Sequence, residues 1–366
     1  MTLPFQTLTV VGETIIDPAT SVRLPPADLA QALEREFGDE ITVHSIDLSL
    51  ENSRSLLESC DLTVLDTADV SDIETWAPPG ADTFVIANHL PTSFDPLAGG
   101  SVPVGHIDPQ ATTGAITIFL AIAGLDPRLA FASSQTVYQA IDKRYGSWET
   151  IACSPSEPWY ANRELLRHVR RLAITTIGNR RLHTLTSTSR PLLGLDSTLA
   201  ITPDGNADNT ISPLTIAAIT HFYRQLTLVA EAENLTSGDD RSYARRPGSG
   251  GGRGLAALTG AVRGVTTPLI DTLARLTDLD NQLAQSDLVV SLIQTLHPQT
   301  VHDSIVEYLG ARTTELGTIH IAITSDSSLS RHEQSEWGLN AVYAARGNDL
   351  HHYALRVLRS TWLRQA

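Results

Sequence analysis

Apolar positions along this 366-residue chain follow two periodicities. Short aliphatic or β-branched runs at Leu8–Val11, Ile41–Ile46, Leu62–Leu65, Thr83–Ala87, Ser286–Ser291 and Thr318–Ile323 have the length and composition of strands. Helical spacing appears between them. Leu29, Ala30, Leu33 and Phe37 share one face of a predicted helix that starts after Pro25-Pro26 and stops at Gly38. Ile216, Ile219, Phe222, Leu226 and Val229 form the apolar stripe of another, over Ser212–Glu233. Val301–Leu309 and Asp349–Trp362 read as two more helices. Strand, helix, strand in that order predicts an α/β fold with parallel strands. The longest apolar run, Ala115–Leu125, is about half of the ~20 residues a membrane span needs, so it reads as a buried core element. Residues 72–105 are rich in Pro, Gly and Asp, residues 236–246 read as a polar loop, and no internal repeat is visible.

Composition narrows the function classes. The length suggests two domains, and 42% hydrophobic residues suffice for real cores. A formal net charge of −15 argues against nucleic acid or an anionic membrane as partner, since both are polyanions. Cys60 and Cys153 form neither a CxxC pair nor a zinc spacing and read as free thiols in a reducing cytoplasm. With no basic region followed by an apolar core at the N-terminus, a cytoplasmic location is expected. His297, His302 and His320 fall near one another in sequence and His351-His352 are adjacent, but no pair has the i, i+4 spacing of a metal-binding helix, so no metal site is expected.

The candidate chemistry centres on Arg246-Pro-Gly-Ser-Gly-Gly-Gly-Arg-Gly254, followed by Leu255-Ala-Ala-Leu-Thr-Gly. A Gly-rich loop opening a helix can cradle phosphate on bare backbone N–H groups, and Arg246 and Arg253 could hold a phosphate or carboxylate. The same stretch also fits a flexible linker. Against phosphoryl transfer stands the single lysine, Lys143, among 25 arginines.

Several segments, in order, resemble the glycerate kinase family, which phosphorylates glycerate with ATP. Thr188-Ser-Arg-Pro-Leu-Leu-Gly194 is similar to the family's D-V-x-N-P-L-L-G. Pro203-Asp-Gly-Asn-Ala207 stands at its G-P-Q-K-G-A, and Pro247–Leu255 resembles P-G-A-G-A-A-G-G-L. Asp287-Leu-Val-Val is similar to the strand D-L-V-I, and Gly338-Leu-Asn-Ala-Val-Tyr343 to G-I-D-A-V-F. The resemblance covers roughly residues 187–345. It implies two α/β domains, a Rossmann-like one with a second inserted and a cleft between them. The outer domain would take about 1–75 and 285–366, with the first strand and Asp287–Val290 in one sheet, and the inserted domain about 76–284.

The departures cluster where the family handles phosphate. The loop P-D-S-F-K-G-S after the first strand reads Ile16-Asp-Pro-Ala-Thr-Ser-Val22 here; counted back from the helix, Ser21 replaces the lysine, and the acid falls near Asp17 or Pro18. G-G-S-A-T-N-D-G-G becomes Cys153–Asn162, in which Glu157, Trp159 and Tyr160 either line a new pocket or plug a former one. S-T-Y-G-V-G-E-L-I becomes Ser133–Ile141 without its glycines. T-G-E-G-R-L-D-x-Q-T becomes Ser291–Thr300, with Ile293 and His297 for the acids and Gln299 retained; Ser304 and Asn206 stand for two further lysines. Asp326 stands alone in a serine-rich loop, and Asp204–Asn206 reads as a turn.

Positioned charge supplies most of phosphoryl-transfer catalysis. The expectation is therefore a catalytically impaired relative that keeps at most ligand binding in the cleft, with no nucleic acid and no membrane partner. Gly248, Gly250, Gly251, Gly252, Arg253 and Gln299 are its candidate ligand residues, and Asp17 and Ser21 the remnant of the catalytic loop. The alternatives are an active kinase for glycerate or a related hydroxy acid, using ATP and magnesium with Arg23, Arg246 or Arg253 for lysines, and a structural or interaction scaffold.

Overall fold

The structure, a computed structural model, describes residues 5–17, 21–49, 52, 55, 56, 63–66, 82–87, 116, 119–146, 150–178, 181–186, 188–195, 197, 198, 213–233, 243–298, 301, 304–347 and 349–363. Its strands in chain order are β1 (Thr7–Gly12), β2 (Ile15–Ile16), β3 (Arg23–Leu24), β4 (Thr42–Asp47), β5 (Thr63–Asp66), β6 (Asp82–Ala87), β7 (Arg181–Thr186), β8 (Val265–Pro268), β9 (Leu288–Leu296), β10 (Ile319–Ser327) and β11 (Ala341–Ala344). The protein is α/β, with a parallel five-stranded sheet in the order β11-β10-β9-β1-β4, a four-stranded sheet β5-β6-β7-β8, also parallel, and a small antiparallel hairpin β2-β3. Two compact units carry them, the first from residues up to 60 and from 270 onward, the second from 61–89 and 105–269.

In the first unit β1 lies between β4 and β9, with Leu8 opposite both Val43 and Leu288. Both faces of β1 and β9 are covered, which explains why they read as continuous apolar runs rather than alternating ones. The helix Pro26–Phe37 packs Leu29, Ala30 and Leu33 into one core with Leu8 and Val10 of β1, Val290 and Leu292 of β9, and Ile321 of β10. Gly38 ends that helix at φ 57°. Gly12 is fixed by a close approach, since a Cβ there would lie 2.1 Å from the Leu292 carbonyl oxygen.

Several boundaries differ from the periodicity reading. The strand expected at Ser286–Ser291 runs on to Leu296, and the one expected to stop at Ile323 runs to Ser327, because the two strands stay paired through Ser327 opposite Leu296. Asp326 is therefore a strand residue opposite Thr295 rather than a lone loop carboxylate. The helix expected from Val301 starts at Val306. Leu62–Leu65 corresponds to β5, which pairs with β6 in the second sheet.

The second unit is built around aromatic packing. Trp159 is fully buried, stacks on Phe119 with ring centres 6.3 Å apart, meets Phe222 edge-on at 6.0 Å, and donates Nε1–H to the Ala130 carbonyl at 3.1 Å. Tyr160 meets Phe222 at 5.8 Å. Among the described residues no helix is long and apolar enough to cross a membrane.

Candidate functional site

Parallel α/β sheets bind ligands outside the carboxyl ends of their strands, at the point where strand order reverses direction. In the five-stranded sheet that point lies between β1 and β9, because the chain runs from β1 outward to β4 and later continues from β9 to β10 and β11 on the other side. The residues leaving β1 and the last residues of β9 therefore decide what this edge can hold.

The chain leaving β1 turns into the hairpin β2-β3. Ile15 pairs with Leu24 and Ile16 with Arg23. Asp17, buried, closes the turn: its N–H donates to the Val22 carbonyl at 2.9 Å, and its carbonyl accepts from the Ser21 N–H at 2.8 Å. Ser21 itself is exposed at φ 58°. Gln294, buried near the end of β9, pins the hairpin. Its Oε1 accepts from the Ile16 N–H at 2.7 Å, and its Nε2 donates to the Ile16 carbonyl at 2.8 Å and to Ser325 Oγ at 3.0 Å.

Glu13 is the group that reading the sequence missed. It follows β1 directly, its N–H donates to the Leu292 carbonyl at 3.0 Å, and its side chain is buried. Burial, with Asp47 adding repulsion, pushes its carboxyl up to about 8, so it is mainly protonated at neutral pH. Counting from the strand instead of the helix puts Gly12-Glu13-Thr14 at the motif's P-D-S; that count, rather than the acid at Asp17, is the signal that would have found it. Asp47, at the end of β4 opposite Gly12, accepts from Ser49 N–H at 2.8 Å.

The Gly-rich stretch lies in the second unit and is a packed turn, which removes the linker reading. Gly248, Ser249, Gly250 and Gly251 are all buried. Their N–H groups donate, in that order, to the carbonyls of Ser189, Arg246, Arg190 and Gly248, at 2.9, 3.1, 3.0 and 2.9 Å. Ser249 Oγ accepts from Leu192 N–H at 3.0 Å. The glycines are demanded by neighbours: a Cβ at Gly250 would meet the Thr198 side chain at 2.5 Å, one at Gly251 the Thr186 side chain at 2.7 Å, and one at Gly254 the Tyr223 hydroxyl at 2.3 Å. Gly252 and Arg253 continue the backbone into the turn Gly251–Gly254, with their side-chain surroundings outside the described residues. Arg246 lies over the Tyr243 ring at 4.5 Å.

Of the other expected positions, Gln299, His302, Cys60 and Asp204–Asn206 lie outside the described residues. Trp159 and Tyr160 are core side chains rather than the lining of a new pocket, and Glu157 is half-buried, its carbonyl accepting from the Ser134 N–H at 2.8 Å. The segments Ser133–Ile141 and Cys153–Asn162 do meet, but through packing: Ser134 Oγ donates to the Ser154 carbonyl at 2.9 Å and accepts from its N–H at 2.8 Å. Cys153 is a free thiol raised by burial. Lys143 is exposed in the last turn of the helix Ser134–Tyr145. His320 is buried against Ser291 at 3.0 Å. His297, by contrast, is at the surface, with Nδ1 2.6 Å from Ser328 Oγ and Nε2 3.9 Å from Asp326. Among the described residues no group of three or more His, Cys, Asp or Glu could hold a metal ion.

No protein-family model matches the chain, and no curated protein matches it. Among solved structures, one described as "putative glycerate kinase 2 from Salmonella typhimurium LT2" is similar to it, at 12% identity over 95% of this chain and 94% of that one, with a TM-score of 0.46.

Proposed function

We propose that this chain is a glycerate-kinase-like protein that has lost phosphoryl transfer and keeps, where the kinase site would lie, at most the binding of a small polar ligand. The observation that carries the reading is the seal on the sheet edge: Gln294 takes both backbone hydrogen-bonding groups of Ile16 and holds the hairpin across the end of β9. The ordered series of family-like segments from Thr188 to Tyr343 supports the ancestry.

ATP and magnesium do not fit the residues present. The N–H groups of Gly248–Gly251 are committed to protein carbonyls, leaving no cradle for a phosphate at those positions. The chain's single lysine, Lys143, is exposed in the last turn of the helix Ser134–Tyr145. Arg23 is exposed on β3, and the Arg246 guanidinium stacks on the Tyr243 ring.

Calorimetric titration with ATP plus magnesium and with glycerate, alongside a coupled assay for ADP release, tests the proposal. Absence of turnover is expected. Saturable binding of both compounds with ADP produced above background would overturn it and direct attention to the arginines.

A further inference from the structure

A second constellation lies farther along the same sheet edge, independent of any kinase ancestry. Parallel pairing sets Asp326 opposite Thr295 and Ser327 opposite Leu296, so the next residues, Ser328 and His297, leave the two strands side by side. The Ser328 N–H donates to the Leu296 carbonyl at 3.0 Å, which fixes the serine backbone against β9. His297 Nδ1 is 2.6 Å from Ser328 Oγ, and its Nε2 is 3.9 Å from Asp326 Oδ2. Arg346 holds the carboxylate from its other side, with Nε 3.6 Å from Oδ1, and donates Nη2–H to the Ser327 carbonyl at 3.0 Å. Arg346 adopts φ 45°, a conformation side chains avoid unless the surroundings impose it, and its N–H donates to the Ser325 carbonyl at 3.0 Å. Ser328 is exposed, so a reactant can reach it.

We infer that Ser328, His297 and Asp326 form a serine nucleophile, its base and its orienting carboxylate, a site for acyl transfer from small carboxylic esters. Such sites are recognised by geometry and roles rather than chain order: a nucleophile within hydrogen-bond reach of a base, and the base oriented by a third group. A carboxylate facing Nε2 favours the tautomer with its proton there, which leaves Nδ1 to accept from the Ser328 hydroxyl. Ser328 Oγ bonds to the ester carbonyl carbon while its proton passes to His297 Nδ1. The carbon–alkoxy bond then breaks, and the departing alcohol oxygen takes that proton. Water cleaves the acyl-serine by the same route, releasing the carboxylic acid and restoring Ser328. Asp326 is a positioning residue, and the Arg346 guanidinium supplies positive charge beside the site.

The test is labelling of the full chain with a fluorophosphonate, which forms a phosphorus–oxygen bond to an activated serine and releases fluoride. Peptide mapping should find one adduct per chain, on Ser328. Ser328→Ala should abolish it. His297→Gln should slow labelling by about 100-fold or more, as loss of a general base does, and Asp326→Asn by less. All three positions are at the surface, and equal thermal midpoints for the variants show that they fold. p-Nitrophenyl acetate gives a second readout, a burst of p-nitrophenol absent from Ser328→Ala. No adduct on the wild type, an adduct that persists in Ser328→Ala, or equal labelling rates for His297→Gln and wild type would each overturn the inference.

Discussion

One edge of the five-stranded sheet is finished in two ways. Between β1 and β9 the buried Gln294 amide bonds to Ile16 and Ser325, and the Asp17 backbone closes the hairpin turn. Beyond the end of β9, His297, Asp326 and Ser328 face solvent at distances of 2.6 and 3.9 Å, close enough to act together and loose enough to admit a reactant. A buried polar network whose members are paired specifies structure. An exposed one with a nucleophile and a base is poorly explained by stability, because surface ion pairs contribute little. The proposed reactive position thus lies apart from the sealed one along a single edge.

The comparison can be broken most severely at Gly12. Gly12→Val would drive its Cβ into the Leu292 carbonyl, and a loss of about 4 kcal/mol or more is expected in urea unfolding. Gln294→Ala should come next. It strips partners from the half-buried Ile16 backbone and should cost about 2 kcal/mol, with faster proteolysis in the hairpin; unchanged stability would mean that the amide does not hold the seal.

The pH dependence is smaller. Glu13, pushed up to about 8 from 4.5, keeps its proton in the folded chain over that range while the unfolded chain loses it, so stability falls as pH rises from 4.5 to 8. Burial pushes His320 down from 6.5 to about 3; over that range the unfolded chain holds the proton, so stability falls as pH drops. The two slopes oppose each other between 4.5 and 6.5, where these groups leave stability flat. Above 6.5 only Glu13 acts, and stability should decline by roughly 1.4 kcal/mol per pH unit towards 8. Urea unfolding of Glu13→Gln at about pH 6 and about pH 8 should show that decline removed. At the open end, Asp326→Asn should alter stability by less than about 0.5 kcal/mol, which a thermal midpoint would register as almost no shift.

How much of this was legible in the sequence depended on the kind of signal. β1, the helix Pro26–Phe37 and the helix over 213–233 carry strong periodicity and lie close to where it put them. β9 and β10 look shorter in the sequence than they are because Gln294, Thr295 and Ser325 are polar, yet pairing between the strands buries or bonds them. The Gly-rich stretch reads equally well as a phosphate cradle or as a tight packing element, since glycine serves both; only the acceptors of its N–H groups separate the two. Glu13 is hidden from a count that starts at the helix, because the hairpin β2-β3 between them shifts the frame. The pairing of His297 with Ser328 spans 31 residues and exists only through the β9-β10 register.

The seal on the sheet edge is tested most directly by hydrogen exchange at the Ile16 amide, whose proton is held by Gln294 at 2.7 Å. If the hairpin is a fixed plug, this amide exchanges as slowly as the core of β1, and Gln294→Ala releases it selectively. Fast exchange of Ile16 in the wild type, alongside a protected β1, would show a strap that opens readily and would contradict the sealed edge.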